Sequence, residues 1–311
     1  MNIALCMPET ALNGGVNTWA IALKNICAEL DILVSIEHSL EALSSYDRII
    51  FYHPLMFNDE EVRKVTREIS SYYWRHTTNS AEDTVLDPNV KYISGCDRIL
   101  PSLARNGIPS EQIVSLPLPL WQQIEEPIRK GKYITWIKSV LGNITLLWKP
   151  DYIEPILQGL LQAREETGLE LKFINVSPSI HDQIREICPT AVIADPESDF
   201  DFLEYQNAAC FIAGGYSLME CLATDIPCFA SSMSGWGGLL TEENLGSALK
   251  NGHGNPSQLS YELQASRLFP PQDIARDICA GVNYQPTPSY YKACSDYRES
   301  FVPRFRRAME M

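Results

Sequence analysis

Apolar positions along the chain cluster into short runs that follow two periods. The first run, Asn2-Ile-Ala-Leu-Cys-Met7, is continuous and ends at Pro8, the pattern of a strand covered on both faces. A loop with Gly14 and Gly15 follows. Val16, Trp19, Ala20, Leu23, Ile26, Cys27 and Leu30 then recur at helical spacing. Strand, glycine loop and helix open an α/β unit. The patterning predicts further strands over 32–36, 47–52, 72–76 and 113–116, and a charged amphipathic helix over 59–70. A short helix over 102–106 is stopped by Gly107 and Pro109. Tyr92-Ile93 is too short to assign by pattern alone.

Pro117-Leu-Pro-Leu-Trp121 breaks this rhythm, and a charged stretch over 125–132 follows. Two prolines with apolar spacers suit a stiff extended crossover. The predicted organisation is one domain over 1–120, a second over 121–289, and a helix over 290–311 returning to the first. In the second half, strands are predicted over 133–137, 171–176, 191–194, 209–212 and 228–230, with helices over 151–167, 180–187, 200–208 and 217–223. Strands alternating with helices imply mainly parallel sheets covered on both faces. The expected fold class is α/β, with two Rossmann-like domains and an inter-domain cleft. Ligands in such folds sit at the carboxyl ends of the strands.

Composition narrows the classes of function. The 311 residues are 45% apolar and 21% charged, close to ordinary globular values. No run of 18 apolar residues occurs, so no spanning helix and no stable membrane insertion is expected. The first residues lack a basic segment and carry Glu9, unlike a signal peptide. A cytoplasmic location is therefore expected. Net charge is −14, and both halves are acidic: residues 1–123 carry 9 basic and 15 acidic groups, the remainder 16 and 24. That field opposes non-specific nucleic-acid binding. Nine cysteines without a C-x-x-C pair read as reduced, mostly buried thiols.

Several residues stand where chemistry is possible. Gly14-Gly15 and Gly214-Gly215 each precede a predicted helix, where backbone approaches a ligand closely and N–H groups favour phosphate. The plainer alternative for each is a tight turn. Glu220 lies between Met219 and Cys221 in an apolar stretch, so its charge needs a basic partner or a ligand hydroxyl. Lys138 ends the 133–137 strand and Lys149 precedes the next helix; together they are suited to neutralising a diphosphate, although surface lysines are common. His76 closes an aromatic strand and is suited to a sugar hydroxyl or the reacting centre, the alternative being a structural histidine. His53 is a weaker candidate of the same kind. Asp199-Phe-Asp201 reads as a helix cap rather than a metal site, and no metal-ligand cluster is expected. Gly235-Trp-Gly-Gly238 reads as a flexible loop, either a lid or a stacking surface for a base or sugar, the plainer alternative being a turn. Arg304, Arg306 and Arg307 make a small basic face, either solvated or in peripheral contact with an anionic membrane.

The order of these pieces resembles the GT-B glycosyltransferases of the retaining family-4 kind. Four stretches carry the resemblance: Asn2 to Leu30; Cys96-Asp-Arg-Ile-Leu-Pro-Ser through Gly107-Ile-Pro to Ile113-Val-Ser-Leu-Pro117; Tyr133 to Ala163; and Ala208 to Ala230. The last two are also similar to the phage DNA α-glucosyltransferases. The resemblance implies a metal-independent glycosyltransferase without a cofactor. It would move a sugar from a nucleotide-sugar donor to a hydroxyl on a glycan, lipid, small molecule or nucleic acid, with retention. Carried over, Gly14 and Gly15 lie beside donor and acceptor, and Lys138 and Lys149 hold the diphosphate. Gly214, Gly215, Tyr216 and Ser217 belong to the donor-binding turn, Glu220 holds the ribose, and His76 faces the transferred sugar. Three departures stand out. Lysine replaces the family's arginine at 138, Pro150 follows Lys149 where the family has glycine, and Ile212 occupies the place of the first glutamate of the E-x7-E motif. The rival readings are a catalytically degenerate module that binds without turnover, a nucleotide-sugar epimerase, and a DNA-base glucosyltransferase.

Overall fold

The computed structural model describes residues 1–7, 15–52, 59–75, 89–117, 131–137, 153–176, 178–194, 205–232, 235–251, 269–287 and 289–310. The chain divides into two compact units, Met1–Trp121 with Asp296–Met311, and Gln122–Ser295.

In the first unit the leading apolar run forms β1 (Asn2–Cys6), and α1 (Gly15–Glu29) follows it. Then come β2 (Leu33–Glu37), β3 (Arg48–Tyr52), α2 (Asp59–Glu68), β4 (Ser71–Arg75), β5 (Val90–Ser94), α3 (Leu100–Arg105) and β6 (Ile113–Ser115). Ile3, Ala4, Leu5 and Cys6 are all fully buried, as a strand with helices on both faces requires. The sheet order is β2-β1-β3-β4-β5-β6, and every pairing in it is parallel. Tyr92-Ile93, unassigned by pattern, belongs to β5. Its pairing is non-local, with Tyr73 opposite Tyr92. On one face Phe51, Tyr73 and Tyr92 run across three strands edge to face, at 5.7 and 5.5 Å. Each such pair adds about 0.5–1.5 kcal/mol to the burial of its rings. On the other face the Tyr72 hydroxyl donates to the Ala308 carbonyl at 2.9 Å. That anchors the end of the last helix, α9 (Tyr290–Glu310), which begins in the second unit and ends in the first.

The second unit repeats the rhythm. It holds β7 (Tyr133–Ile137), α4 (Ile153–Thr167), β8 (Glu170–Ile174), α5 (His181–Ile187), β9 (Val192–Ala194), β10 (Ala208–Ala213), α6 (Tyr216–Leu222) and β11 (Cys228–Ser232). β12 (Gly235–Leu239), α7 (Glu242–Asn251) and α8 (Pro271–Gly281) complete it. The sheet order is β12-β11-β10-β7-β8-β9. All pairs are parallel except β11–β12, which is antiparallel. One face packs against α4 and α8, where Ile156, Leu160, Ile274 and Ile278 meet Trp136, Ile212 and Phe229. Gly159 allows the two helices to approach: a Cβ there would stand 2.8 Å from Cβ of Ile274 and 2.9 Å from the Pro271 carbonyl.

Two sequence expectations change. The predicted helix over 200–208 fails at its described end, since 205–207 form a turn and Ala208 already belongs to β10. Gly235-Trp-Gly-Gly238 is not a loop but most of β12. Trp236 stacks on Phe229 at 5.8 Å, and its indole N–H donates to Asp277 Oδ2 at 2.8 Å. Both the ring and the polar atom of Trp236 therefore serve the fold.

Candidate functional site

A doubly wound sheet opens a crevice where its strand order reverses, because the connections on either side leave on opposite faces. In the second unit that point lies between β7 and β10. The helices after β7 and β8 share one face with the core described above. The next connection, through α6, joins β10 to β11. Ile212 lies opposite Trp136, so the two strands end level. β10 runs on into Gly214 and Gly215. Lys138 follows β7 directly in the chain, and both Lys138 and Lys149 lie outside the described residues.

Gly215 has φ +60° and ψ −136° at the start of α6, and no side chain caps that helix. Its first-turn N–H groups thus lack the side-chain oxygen that often satisfies them. Glycine is needed here for its conformation: among the described residues, a Cβ on Gly215 would meet nothing within 4 Å. Gly214 is buried, Gly215 exposed, and Ser217 of the first turn is buried. For Tyr216 only the backbone is described.

Glu220 is 2% exposed. One of its partners is of a kind that the sequence does not point to. The Tyr205 hydroxyl donates to Glu220 Oε2 at 2.6 Å, a length typical of a charge-assisted O–H···O⁻ bond. Burial, then the negative charge of Glu220, push the Tyr205 hydroxyl well above its usual pKa, so it stays protonated and donating. The Tyr205 ring meets Phe211 edge to face at 5.6 Å. Sequence reading does not single out Tyr205. It lies fifteen residues before Glu220, on another element, and only the folding of β10 against α6 joins them. Burial also raises the Cys221 thiol, with Cys228 beside it. All nine cysteines are free, and eight are buried.

In the first unit the strand order reverses between β1 and β3. Gly15 starts α1 there, whereas Gly14, His53 and His76 lie outside the described residues. Trp19 stands 5.1 Å from Tyr52 and 5.0 Å from Trp74. Arg75, the residue before His76, ends β4 and is 3% exposed. Its signal in the sequence is a cation closing an aromatic strand. Among the described residues no group of three or more His, Cys, Asp or Glu side chains is placed to hold a metal ion. No described helix is long and apolar enough to cross a membrane.

No family model matches the chain, and no curated protein matches it by sequence. Solved structures do match. Sucrose-phosphate synthase from Thermosynechococcus elongatus aligns with a TM-score of 0.63 at 12% identity, over 100% of this chain and 98% of that one. The pneumococcal O-GlcNAc transferase GtfA, solved with UDP and GlcNAc, aligns at 0.58 and 14% identity over 87% of this chain. This chain spans only 58% of GtfA. Anabaena HepE, solved with UDP and glucose, aligns at 0.52 and 9% identity over 98% and 95% of the two chains. At such identities the likeness is one of fold. Two six-stranded, mainly parallel sheets, each in its own Rossmann-like unit, are the GT-B architecture of these glycosyltransferases.

Proposed function

We propose that the chain is a nucleotide-sugar-dependent glycosyltransferase whose donor diphosphate rests on the Gly214–Gly215 turn. One observation carries the reading. At the strand reversal of the second sheet, β10 ends in an uncapped turn with an exposed, positive-φ glycine and no described residue within 4 Å of where its Cβ would stand. That is the place and backbone chemistry of a phosphate cradle. The UDP complexes of GtfA and HepE lend this reading weight at the level of fold. α6 spans only seven residues, so individual N–H groups of Gly215, Tyr216 and Ser217, rather than a long helix dipole, are assigned to the phosphates.

In the proposed reaction the bond between sugar C1 and the diphosphate oxygen breaks. A bond forms from C1 to the acceptor hydroxyl oxygen on the same face, and the acceptor proton passes to the departing phosphate. No protein nucleophile is needed. The work is leaving-group stabilisation and positioning. Lys138 and Lys149 are assigned to the departing diphosphate, Glu220 to the ribose, His76 to the transferred sugar, and Gly14 with Gly15 to the neighbourhood of donor and acceptor. No metal or cofactor is assigned a part.

One observation favours a second reading, binding without turnover. Ile212, where the resemblance expects a glutamate, is fully buried in the apolar core of the second unit. A single experiment separates the two readings: release of nucleoside diphosphate from UDP-, GDP- and ADP-sugars across an acceptor panel. Turnover that falls on the order of 10²-fold in Lys149→Ala supports the transferase. Donor binding with no release by the wild type supports the second reading.

A further inference from the structure

We infer that the groove beside α2 in the first unit docks a basic, amphipathic helix of a partner protein. The inference is independent of the donor-site reading.

The groove comes from a short crossover. Two parallel strands are ordinarily joined by a helix laid on the sheet, in a connection of a dozen or more residues. β1 and β2 are joined in that way, by α1. Residues 38–47, between β2 and β3, hold only the 3-10 turn Leu43–Ser45. Leu43 is fully buried in the core beneath, but one turn does not cover the area that a helix would. A groove of about 530 Å³ is left between the crossover and α2.

The α2 side of the groove is a single helical stripe. Glu61, Lys64, Val65, Glu68 and Ile69 line it, at i, i+3, i+4, i+7 and i+8. Ile69 follows α2 directly and keeps its helical bond, its N–H donating to the Val65 carbonyl at 3.0 Å. At about 1.5 Å per residue the stripe runs about 12 Å, roughly two turns. Leu40 and Glu41 of the crossover stand on the other side. Leu40, Val65 and Ile69 are half-buried and rest on the core that holds Phe51, Tyr73 and Tyr92. They make an apolar floor. The rim is acidic: Glu41, Glu61 and Glu68 are exposed, three carboxylates against the one ammonium of Lys64. Such a groove fits a helix with apolar side chains on one face and Lys or Arg beside them. Its place favours a helix too, since a crossover helix would ordinarily lie there. A second copy of this chain fits poorly, because each copy carries a net charge of −14 and like charges oppose association.

The probe is a synthetic helical peptide of leucine, alanine and lysine, with leucines on one face and lysines flanking them. Its binding to the full chain is read by fluorescence anisotropy at low and high salt. A peptide with glutamate for lysine and one with serine for leucine are the controls. The basic probe is expected to bind, less tightly at high salt, and each control about ten-fold more weakly or not at all. Glu41→Lys/Glu68→Lys should weaken the basic probe about ten-fold and bind the glutamate peptide in its place. Lys64→Glu should tighten the basic probe. Glu165→Lys/Glu186→Lys makes the same change of charge on α4 and α5 of the second unit and should leave binding as in wild type. Every substituted side chain is exposed, so each variant is expected to fold. Equal loss in the two double variants would mean that the probe senses net charge alone, and would overturn the groove as its site. Equal binding of the basic and glutamate peptides, or no binding of the basic probe, would overturn it as well. A wild-type dimer in sedimentation that Glu41→Lys/Glu68→Lys abolishes would assign the groove to a second copy and overturn the partner.

Discussion

Gly215 and Gly246 form a matched pair for testing the strained turn. Among the described residues neither has a heavy atom within 4 Å of the place a Cβ would take, so an added methyl clashes with none of them and the backbone decides. Gly246 lies on the exposed side of α7, where alanine is preferred to glycine by about 0.5–1 kcal/mol. Gly215 stands at φ +60°, ψ −136°, close to a region that glycine alone populates, and an L-residue there costs about 1–3 kcal/mol. Gly246→Ala should therefore stabilise the protein and Gly215→Ala destabilise it, a separation of about 1.5–4 kcal/mol. Urea unfolding with an unchanged slope reads both values. The pair also separates stability from binding. The Gly215→Ala methyl projects into the space assigned to phosphate and weakens nucleotide binding, whereas Gly246→Ala leaves it as in wild type. Two variants shifting stability in the same direction would refute the strain argument. Full nucleotide affinity in Gly215→Ala would remove the turn from the donor site.

Other parts of the structure make their own predictions. Tyr72→Phe leaves the Ala308 carbonyl without its buried donor. It should cost about 1–3 kcal/mol and speed hydrogen exchange at the end of α9; unchanged exchange there would show that the bond does not anchor the helix. Gly159→Ala drives a methyl against Ile274 and the Pro271 carbonyl and should cost about 1–3 kcal/mol by overpacking, read as a lower urea midpoint. Burial pushes the Cys6 and Cys27 thiols from 9.0 to about 12, and the Cys279 thiol to about 11. The unfolded chain loses these protons first, so their contribution to stability is complete below pH 9 and is lost as pH rises through 11 to 12. At pH 8 native thiols should resist alkylation, with only about 10⁻³ of Cys279 as thiolate, and all nine should react in denaturant. Rapid labelling of the eight buried thiols in the native protein would contradict their burial.

What the sequence discloses follows from how local each signal is. β1 is legible because a strand buried on both faces writes itself as an unbroken apolar run. β10 is legible for the same reason, with Ala208 to Ala213 fully buried or nearly so. β5 is not, because its identity lies in the pairing of Tyr92 with Tyr73 rather than in its own short run. β12 misleads: its glycines and tryptophan look like a loop, and only the antiparallel partner β11 makes it a strand. α7 and α8 have no assignment from pattern, although α8 packs with α4 against the second core. Of the candidate site, the glycine turn at 214–215 and the odd burial of Glu220 can be read from residue types and neighbours. Tyr205 cannot, because it meets Glu220 only through the tertiary fold. The residues around Glu220 point to a cation or a ligand as its partner; the fold adds a tyrosine hydroxyl, 2.6 Å from Oε2, that they do not point to.

The central claim is that the carboxyl edge of β10 holds a nucleoside diphosphate. Thermal unfolding with millimolar UDP, GDP, ADP, CMP and dTDP tests it most directly, on wild type, Glu220→Ala and Lys149→Ala. A diphosphate present at a hundred times its Kd should add about 2.7 kcal/mol to wild-type stability, and the shift should vanish in both variants. No shift with any nucleotide, or a shift that both variants retain in full, would contradict the account.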